Sequence, residues 1–320
     1  MNISFKQVIA PLCFGLILTT SDFCFSQTSV VTAGIYGFSR ISAPVGGRVI
    51  APVLVKNSVY SGAVPVSGST FLAAGIASNS LSPSSFSDRP NAPRYYVEIT
   101  SGIYAGNIYD VAGNDTNGIT VYGLPSALNG QSHITISVRP HFTLGDLASA
   151  SSGLSAYSDA LSLYQINSGQ STYIYSGSGV VDGNNATADQ IVIYPGSGAL
   201  INNSRSASFT FSGLVKTNQT VVPIYAGVTL VAPLDPTGTT TINSENLLPI
   251  LHPYVDAVSL VATDGSLGTT PFYSDGTQLL NQNYSPLTPS VAPIVSSGNG
   301  FFINSTQNCL WTNASAVSTY

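Results

Sequence analysis

Glu98 and Glu245 are the only two glutamates in the 320-residue chain, and a pair of carboxylic acids is the simplest equipment for acid–base catalysis. Such pairs work when the carboxyl groups lie roughly 5 to 10 Å apart and their pKa values are separated. Glu98 stands in YYVEIT, where strand alternation places it opposite Val97 and Ile99 on a solvated face. Glu245 follows Ser244 at an expected helix start, where a carboxylate complements free backbone amides. The pattern predicts two structural glutamates.

Three histidines, His133, His141 and His252, are the candidates for a general base beside a serine. A serine nucleophile of the hydrolase type needs a G-x-S-x-G turn between a strand and a helix, whereas PGSGAL at Pro195 leads into another apolar run. The histidines are too scattered for a recognisable zinc site, and Cys309 has no partner thiol. We therefore predict structural histidines, with no catalytic residue, no metal site and no cofactor.

Calcium would need several oxygen ligands in one loop, and the best candidate is the segment that begins at Asp110. It offers side-chain oxygens from Asp110, Asn114, Asp115 and Asn117 but lacks the alternating Asp-x-Asp-x-Asp pattern. The flanking apolar runs favour a β-hairpin, with Asn117 and Gly118 able to take the positive φ that a tight turn demands. A hairpin turn is the expected structure.

The chain contains 17 tyrosines, and exposed aromatic rings make glycan binding the most reasonable binding hypothesis. Most of these tyrosines alternate with Val or Ile, as in IYPG and YIYS. That alternation favours half-buried rings that pack against residues of the neighbouring strand.

The elements that must position these residues are strands. Charged residues make up only 7% of the chain, against about 25% in an ordinary globular protein, and Ser, Thr, Asn and Gly replace them. Apolar runs of strand length recur between turn signals, which predicts an all-β fold of antiparallel sandwiches or barrel-like units with very little helix. Short helices are expected only after Phe142 and Asn243, where Asp146 or Ser244 could begin one or two turns. The Ser- and Pro-rich segment 78–93 is expected to be a surface loop.

An internal duplication is visible when SDALSL, beginning at Ser158, is aligned with VDAVSL, beginning at Val255. Further along, STYIYS at Ser171 aligns with TTPFYS at Thr269, and the glycine-rich GSGALINN at Gly196 aligns with SGNGFFINS. A repeat copied once predicts two β-units that share strand order, with Asp159 and Asp256 at equivalent strand starts. We expect an N-terminal β region over 27–155 and a C-terminal region over 156–320, whose two related units cover about 158–254 and 255–320.

The amino terminus predicts export. A lone cation, Lys6, precedes the apolar run VIAPLCFGLIL and a polar stretch, which is typical of a signal peptide over 1–26; a membrane anchor is the alternative, for which the run is short. Removing this segment leaves Cys309 as the only cysteine, expected as a small buried residue beside Trp311 or, alternatively, in an intermolecular disulfide. With a net charge of −5, nucleic acid is not an expected partner, and membrane association is not expected after cleavage.

Several long stretches resemble an uncharacterised family of secreted proteins found mainly in Verrucomicrobia. They are YYVEITSGIYAGNIYDVAGNDTNGITV, SVRPHFTLGDL, ADQIVIYPGSGALI and SGLVKTNQTVVPIYAGVTLVAPLDPTGTTTI, whose order and spacing agree over most of the chain after the signal. The resemblance implies a secreted β-protein and carries over no catalytic residue.

Export, β-repeats, a Ser/Thr/Asn surface and scarce ionisable groups together predict a non-enzymatic structural or adhesive protein that is secreted to the periplasm, the cell surface or the medium. A glycan-binding protein is the first alternative, and a secreted hydrolase is the second. Extracellular glycans and other surface proteins are the expected partners.

Overall fold

The computed structural model describes residues 35–86, 89–165, 169–238, 240–261, 267–288 and 292–314. Strands make up 46% of the described residues and helices 6%, so the predicted all-β fold with very little helix is confirmed. Strand pairs in the described ranges are antiparallel, and the sheets include a curled half-barrel. The predicted signal peptide lies outside the described residues. No helix within them is long and apolar enough to cross a membrane.

The first half of the fold contains short strands up to a single α-helix. In chain order these are β1 (Tyr36–Ala43), β2 (Gly46–Ile50), β3 (Tyr60–Val64), β4 (Val66–Ser67), β5 (Thr70–Phe71), β6 (Ser84–Phe86), β7 (Arg89–Ala92), β8 (Tyr95–Ile99), β9 (Ile108–Asn114), β10 (Ile119–Val121), a 3₁₀ turn (Ser126–Leu128), β11 (Ile134–Pro140), β12 (Phe142–Thr143) and α1 (Leu144–Ala150).

The second half adds strands and two more 3₁₀ turns. These elements are β13 (Ser151–Ser152), β14 (Ala160–Gln165), β15 (Gly169–Tyr175), β16 (Val180–Val181), β17 (Val192–Ile193), β18 (Ala199–Asn203), β19 (Ala207–Leu214), β20 (Thr220–Ile224), β21 (Gly227–Val231), β22 (Thr240–Thr241), 3₁₀ turns (Ile242–Ser244 and Leu248–Ile250), β23 (Ala257–Val261), β24 (Leu267–Ser274), β25 (Leu279–Leu280), β26 (Ile294–Val295), β27 (Phe301–Ser305) and β28 (Cys309–Asn313).

The duplication is visible in the strand pairing. One five-stranded sheet has the order β16-β15-β14-β18-β2, and a second has the matching order β25-β24-β23-β27-β21. The pair β1-β19 has its counterpart in β20-β28, and β12-β17 has its counterpart in β22-β26. The predicted shared strand order is confirmed, and Asp159 and Asp256 directly precede the equivalent strands β14 and β23. We call the two copies repeat 1 (36–50 with 142–214) and repeat 2 (220–313).

Each repeat begins earlier than the sequence pattern indicated, because its first two strands lie well before the aspartate, and strands β20 to β22, expected in the first unit (158–254), belong to repeat 2. In repeat 1 these strands, β1 and β2, are separated from the remainder by residues 51–141, whereas in repeat 2 only residues 232–239 intervene. Residues 51–141 contain a seven-stranded sheet of order β3-β11-β8-β9-β10-β5-β4, which we call the inserted sheet. Because β1 and β2 pair with β19 and β18, the expected division near Ser155 does not separate two sets of sheets.

Three hydrophobic clusters match these three parts. Repeat 1 packs around Phe209, repeat 2 around Trp311, and the inserted sheet around Phe71, each ring fully buried. Phe209 pairs with Ile41 of β1, and Trp311 pairs with Val222 of β20, so these two buried rings occupy equivalent places in the two repeats. Replacing such a buried aromatic residue by alanine typically lowers the free energy of unfolding by about 3 to 5 kcal/mol.

The two repeats hold each other through reciprocal contacts of glycine loops. The amide of Ala51 donates to the carbonyl of Gly298 at 3.0 Å, and the equivalent amide of Ala232 donates to the carbonyl of Gly196 at 2.9 Å. Both glycines have positive φ, 72° and 83°, and an added Cβ would collide with Ile41 in one case and with its equivalent, Val222, in the other. Each repeat therefore makes the same contact with the other: its glycine loop accepts a hydrogen bond from the alanine that follows the second strand of the other repeat.

Local expectations are met in part. The helix after Phe142 exists, but its N-cap is Thr143, whose side chain and that of Asp146 form a capping box. The hairpin between β9 and β10 is confirmed, yet neither Asn117 nor Gly118 has positive φ. Instead, Asp115 Oδ1 accepts both of their amides at 2.8 Å, an Asx turn that replaces the left-handed one. Segment 78–93, expected as a loop, contains the short hairpin β6-β7.

Candidate functional site

The first group of interest surrounds Glu98, whose predicted position on a solvated face is wrong. Its side chain is fully buried in the middle of β8, because the face opposite Val97 is covered by the segment that links the two repeats. Lys216 Nζ lies 2.6 Å from Glu98 Oε1, and Arg139 Nε lies 3.5 Å from Oε2. Asn218 Nδ2 also donates to Oε1 at 2.7 Å. Alternation places a side chain on a face, but it does not tell what covers that face.

Lys216 and Asn218, the two partners of Glu98 Oε1, were not predicted from the sequence. The ammonium of Lys216 also donates to the carbonyls of Asn218 and Gln219. Lys216 therefore stabilises a turn within the linker between the repeats and also connects this linker to Glu98 of the inserted sheet. Burial lowers the pKa of Lys216, and the contact with Glu98 opposes that effect. The available signal was a lone cation in LVKTNQT, between two apolar strands of a chain that has few charges.

The second group is an Asp–His–Tyr cluster where the inserted sheet meets repeat 1. His141 Nε2 donates to Asp110 Oδ1 at 3.0 Å, and the Tyr194 hydroxyl donates to Asp110 Oδ2 at 2.7 Å. The ring of Tyr96 packs against His141 with ring centroids 4.9 Å apart. Burial and the nearby Asp110 carboxylate raise the pKa of Tyr194. Asp110 thus pairs with His141 and Tyr194, whereas Asn114 Oδ1 and Asp115 Oδ1 accept backbone amides, so these candidate calcium ligands each have separate partners.

This cluster borders a small apolar cleft lined in part by Leu54, Tyr96, Phe142, Ile193, Tyr194 and Leu234. The His141 side chain is fully buried and does not reach solvent through the cleft. Its second ring nitrogen, Nδ1, is buried and has no hydrogen-bond partner, so no serine, threonine or cysteine is activated by it. The arrangement orients the imidazole but supplies no nucleophile.

The third group consists of the two equivalent aspartates. Asp159 Oδ2 accepts the amide of Ser155, and its Oδ1 accepts the amide and hydroxyl of Ser204, at 2.7 to 2.8 Å. Asp256 accepts from His252 and Thr306 in the same pattern, at 2.8 to 2.9 Å. Burial alone would raise the pKa of Asp256, but the hydrogen bonds together lower it. Each carboxylate closes a turn and fastens it to the loop between the last two strands of its repeat.

Glu245 belongs to a buried polar pocket that only repeat 2 has. Its predicted role at a helix start is wrong, since Thr241 caps the 3₁₀ turn and Glu245 follows its end. Burial raises the pKa of Glu245 to about 7; the Thr240 hydroxyl lowers it and the Asp235 carboxylate raises it further. Asn313 Nδ2 donates to Glu245 Oε2 at 3.3 Å.

The remaining candidates from the sequence are scattered. A hydrogen bond joins the His133 ring to the Ser132 hydroxyl, and another joins the His252 ring to the Thr306 hydroxyl. Cys309 is half-buried in β28, two residues before the buried Trp311, and it is a free thiol. Within the described ranges, no group of three or more His, Cys, Asp or Glu side chains is placed to hold a metal ion.

The exposed side of repeat 2 carries a group of three rings, Tyr254, Tyr273 and Tyr284, which we call the tyrosine cluster. The rings of Tyr273 and Tyr284 are stacked with centroids 5.3 Å apart, and those of Tyr254 and Tyr284 are 6.2 Å apart. Tyr254 is 57% exposed and Tyr284 is 56% exposed, while Tyr273 is partly buried. The half-buried cross-strand position expected for most tyrosines applies to Tyr273 but not to the two loop residues.

Fold and site together define a duplicated antiparallel β-protein with a sheet inserted in its first repeat. Comparison of the chain with protein-family models, with curated proteins and with solved structures finds no match.

Proposed function

We propose that this chain is a non-catalytic structural and adhesive protein that acts outside the cytoplasm. The main observation behind the proposal is that the buried ionisable groups bind other segments of the chain. Glu98 fastens the inserted sheet to the linker at Lys216, and Asp159 and Asp256 fasten the turns of the two repeats. These groups join segments of the chain and hold them rigid, which suits a scaffold.

The predicted signal peptide and the resemblance to a family of secreted proteins support an extracellular location. The scarcity of charge supports the same proposal, because a surface rich in Ser, Thr and Asn offers neutral hydrogen-bonding groups to a partner and little long-range repulsion. Loops at the ends of a rigid β framework are the usual place for such contacts.

A hydrolase is the competing function, favoured by the Asp110–His141–Tyr194 cluster beside the cleft. The buried imidazole with no neighbouring nucleophile argues against it. For a hydrolytic role, Tyr194 would be the group within reach of a substrate, since the residue is partly exposed. Its hydroxyl already donates to Asp110, and its raised pKa makes it a poor base at neutral pH.

Both functions are tested on the purified mature protein, residues 27–320. Beads coated with the protein are washed over films of neutral polysaccharide, peptidoglycan and collagen, with albumin-coated beads as the control. We expect retention on at least one film and no turnover of esterase, glycosidase or peptidase substrates. Failure to stick to any film contradicts the adhesive role. Turnover that falls more than tenfold in Tyr194→Phe would establish the hydrolase.

A further inference from the structure

We infer that the tyrosine cluster of repeat 2 is a binding site for a neutral carbohydrate, with sugar rings packed on the exposed faces of Tyr254 and Tyr284. This inference rests on the proposed adhesive role and names the chemistry of the ligand. It starts from a difference between two copies of the same loops.

The loops that carry the cluster have counterparts of the same geometry in repeat 1. The amide of Tyr254 donates to the carbonyl of Ser274 at 2.7 Å, and the amide of Tyr157 donates to the carbonyl of Tyr175 at the same distance. In the second loop, Asn281 Oδ1 accepts the amides of Asn283 and Ser285; in repeat 1 Asp182 Oδ1 does the same for Asn184 and Ala186. The framework is shared, so the difference lies in the side chains.

At the three cluster positions repeat 1 has Tyr157, Ile174 and Asn185. Tyr157 is the equivalent of Tyr254 and is 70% exposed, but it has no ring beside it in the two places where repeat 2 has Tyr273 and Tyr284. Only repeat 2 therefore assembles a continuous aromatic surface.

Backbone conformation adds a second observation. Tyr254 and Tyr284 have φ of 59° and 57°, in the left-handed region where asparagine is favoured over a bulky residue. Asn185, at the position equivalent to Tyr284, has φ of 61°. Tyr157 of repeat 1 shares the left-handed backbone, with φ of 56°, so this conformation does not distinguish Tyr254 from its counterpart. At the position of Tyr284, by contrast, repeat 2 has an exposed tyrosine where repeat 1 has the asparagine that this backbone favours, and contact with a ligand would offset the conformational cost.

The surroundings of the rings identify the ligand as a neutral sugar. Gln282, Asn283 and Ser285 flank Tyr284, are exposed, and can exchange hydrogen bonds with hydroxyl groups in either direction. A flat ring beside neutral amide groups matches a pyranose, which has apolar C–H faces and a rim of hydroxyls.

Charge argues against an acidic glycan. Asp275 directly follows β24, and its carboxylate accepts from the Thr277 hydroxyl and amide and from Gln278; these hydrogen bonds hold its pKa well below the usual range. It stays negative at any neutral pH, and the chain as a whole carries −5. Both repel carboxylated or sulfated polysaccharides.

The test is native affinity electrophoresis of the mature protein in gels that contain laminarin, xylan, mannan, hydroxyethyl cellulose or alginate. Three variants follow from the repeat comparison: Tyr284→Asn and Tyr254→Asn in the cluster, and Tyr157→Asn as the matched control in repeat 1. Thermal unfolding of each confirms that it is folded, and asparagine suits the left-handed backbone at all three positions.

We expect at least one neutral polysaccharide to retard the wild type, with affinity about fivefold lower in either cluster variant and changed less than about twofold in Tyr157→Asn. Equal loss in the control, no retardation by any neutral polysaccharide, or retardation by alginate alone overturns the inference. Binding of a polyproline peptide that depends on the cluster, without sugar binding, overturns the carbohydrate assignment. If beads stick to collagen or peptidoglycan while gels show nothing, the adhesive role stands and the carbohydrate site fails.

Discussion

Repeat 1 and repeat 2 share a framework and differ in what they do with it. Both close a turn on a buried aspartate, both begin with two strands that pair with the last two, and each contributes a glycine loop to the other. Repeat 1 accommodates the inserted sheet and buries Leu147 and Phe211, whereas repeat 2 buries Glu245 and Asn313 at the equivalent positions and displays the tyrosine cluster. The difference teaches that hydrogen-bonded turns and glycine contacts define the repeat, while loop side chains and the inserted segment are free to diverge.

The largest effect is expected where repeat 1 has something that repeat 2 lacks. Among the described residues, Lys216→Met leaves Arg139, at 3.5 Å, as the remaining cationic partner of the fully buried Glu98. Removing one partner of a buried ion pair costs about 3 to 5 kcal/mol. Urea unfolding should show a loss of this size, against less than about 1 kcal/mol for Lys56→Met, which breaks a partly exposed pair with Asp146. Similar losses for both variants would contradict the anchoring role of Glu98.

The next effect tests the reciprocal glycine contacts. Gly298→Ala and Gly196→Ala each place a Cβ in a left-handed backbone and against a core side chain, Ile41 or Val222. Overpacking and backbone strain together cost about 2 to 4 kcal/mol. We expect the two variants to lower the free energy of unfolding by similar amounts, with Gly183→Ala, which meets no atom within 4 Å, as the control. A large loss in one and none in the other would disprove the exchange symmetry.

A smaller effect, a dependence of stability on pH, is expected from the polar pocket around Glu245 in repeat 2 and not from the apolar residues at the equivalent positions of repeat 1. The pKa of Glu245 rises from 4.5 to about 7 in the folded protein because of burial. The folded state therefore binds this proton more tightly than the unfolded state, and stability is expected to fall as pH rises from about 4.5 through 7.

Glu245→Gln should remove this dependence, because an amide stays neutral. We expect the variant to be more stable than the wild type by about 2 to 3 kcal/mol at pH 8 and about equal to it at pH 4. Thermal unfolding at both pH values is the measurement. A constant difference between the two proteins across this range would show that Glu245 does not titrate near neutrality.

The sequence predicts the fold class and the duplication because both rest on local patterns, namely strand-length apolar runs and the repeated aspartate before β14 and β23. It does not predict that repeat 1 begins at Tyr36, since the inserted sheet separates those strands from the rest by about 90 residues. The burial of Glu98 and Glu245 depends on segments far away in sequence, the linker at Lys216 and the strand that contains Asn313. The tyrosine cluster likewise joins residues of three different segments.

Transplanting the cluster tests the central claim, that one framework is shared and the side chains placed on it decide binding. In a protein whose own cluster is removed by Tyr254→Asn and Tyr284→Asn, the substitutions Ile174→Tyr and Asn185→Tyr would rebuild three rings around Tyr157 in repeat 1. Affinity electrophoresis with the neutral polysaccharide that retards the wild type is the measurement. The account predicts that retardation is lost in the double variant and returns in the quadruple variant. A folded quadruple variant that migrates like the double variant would contradict it.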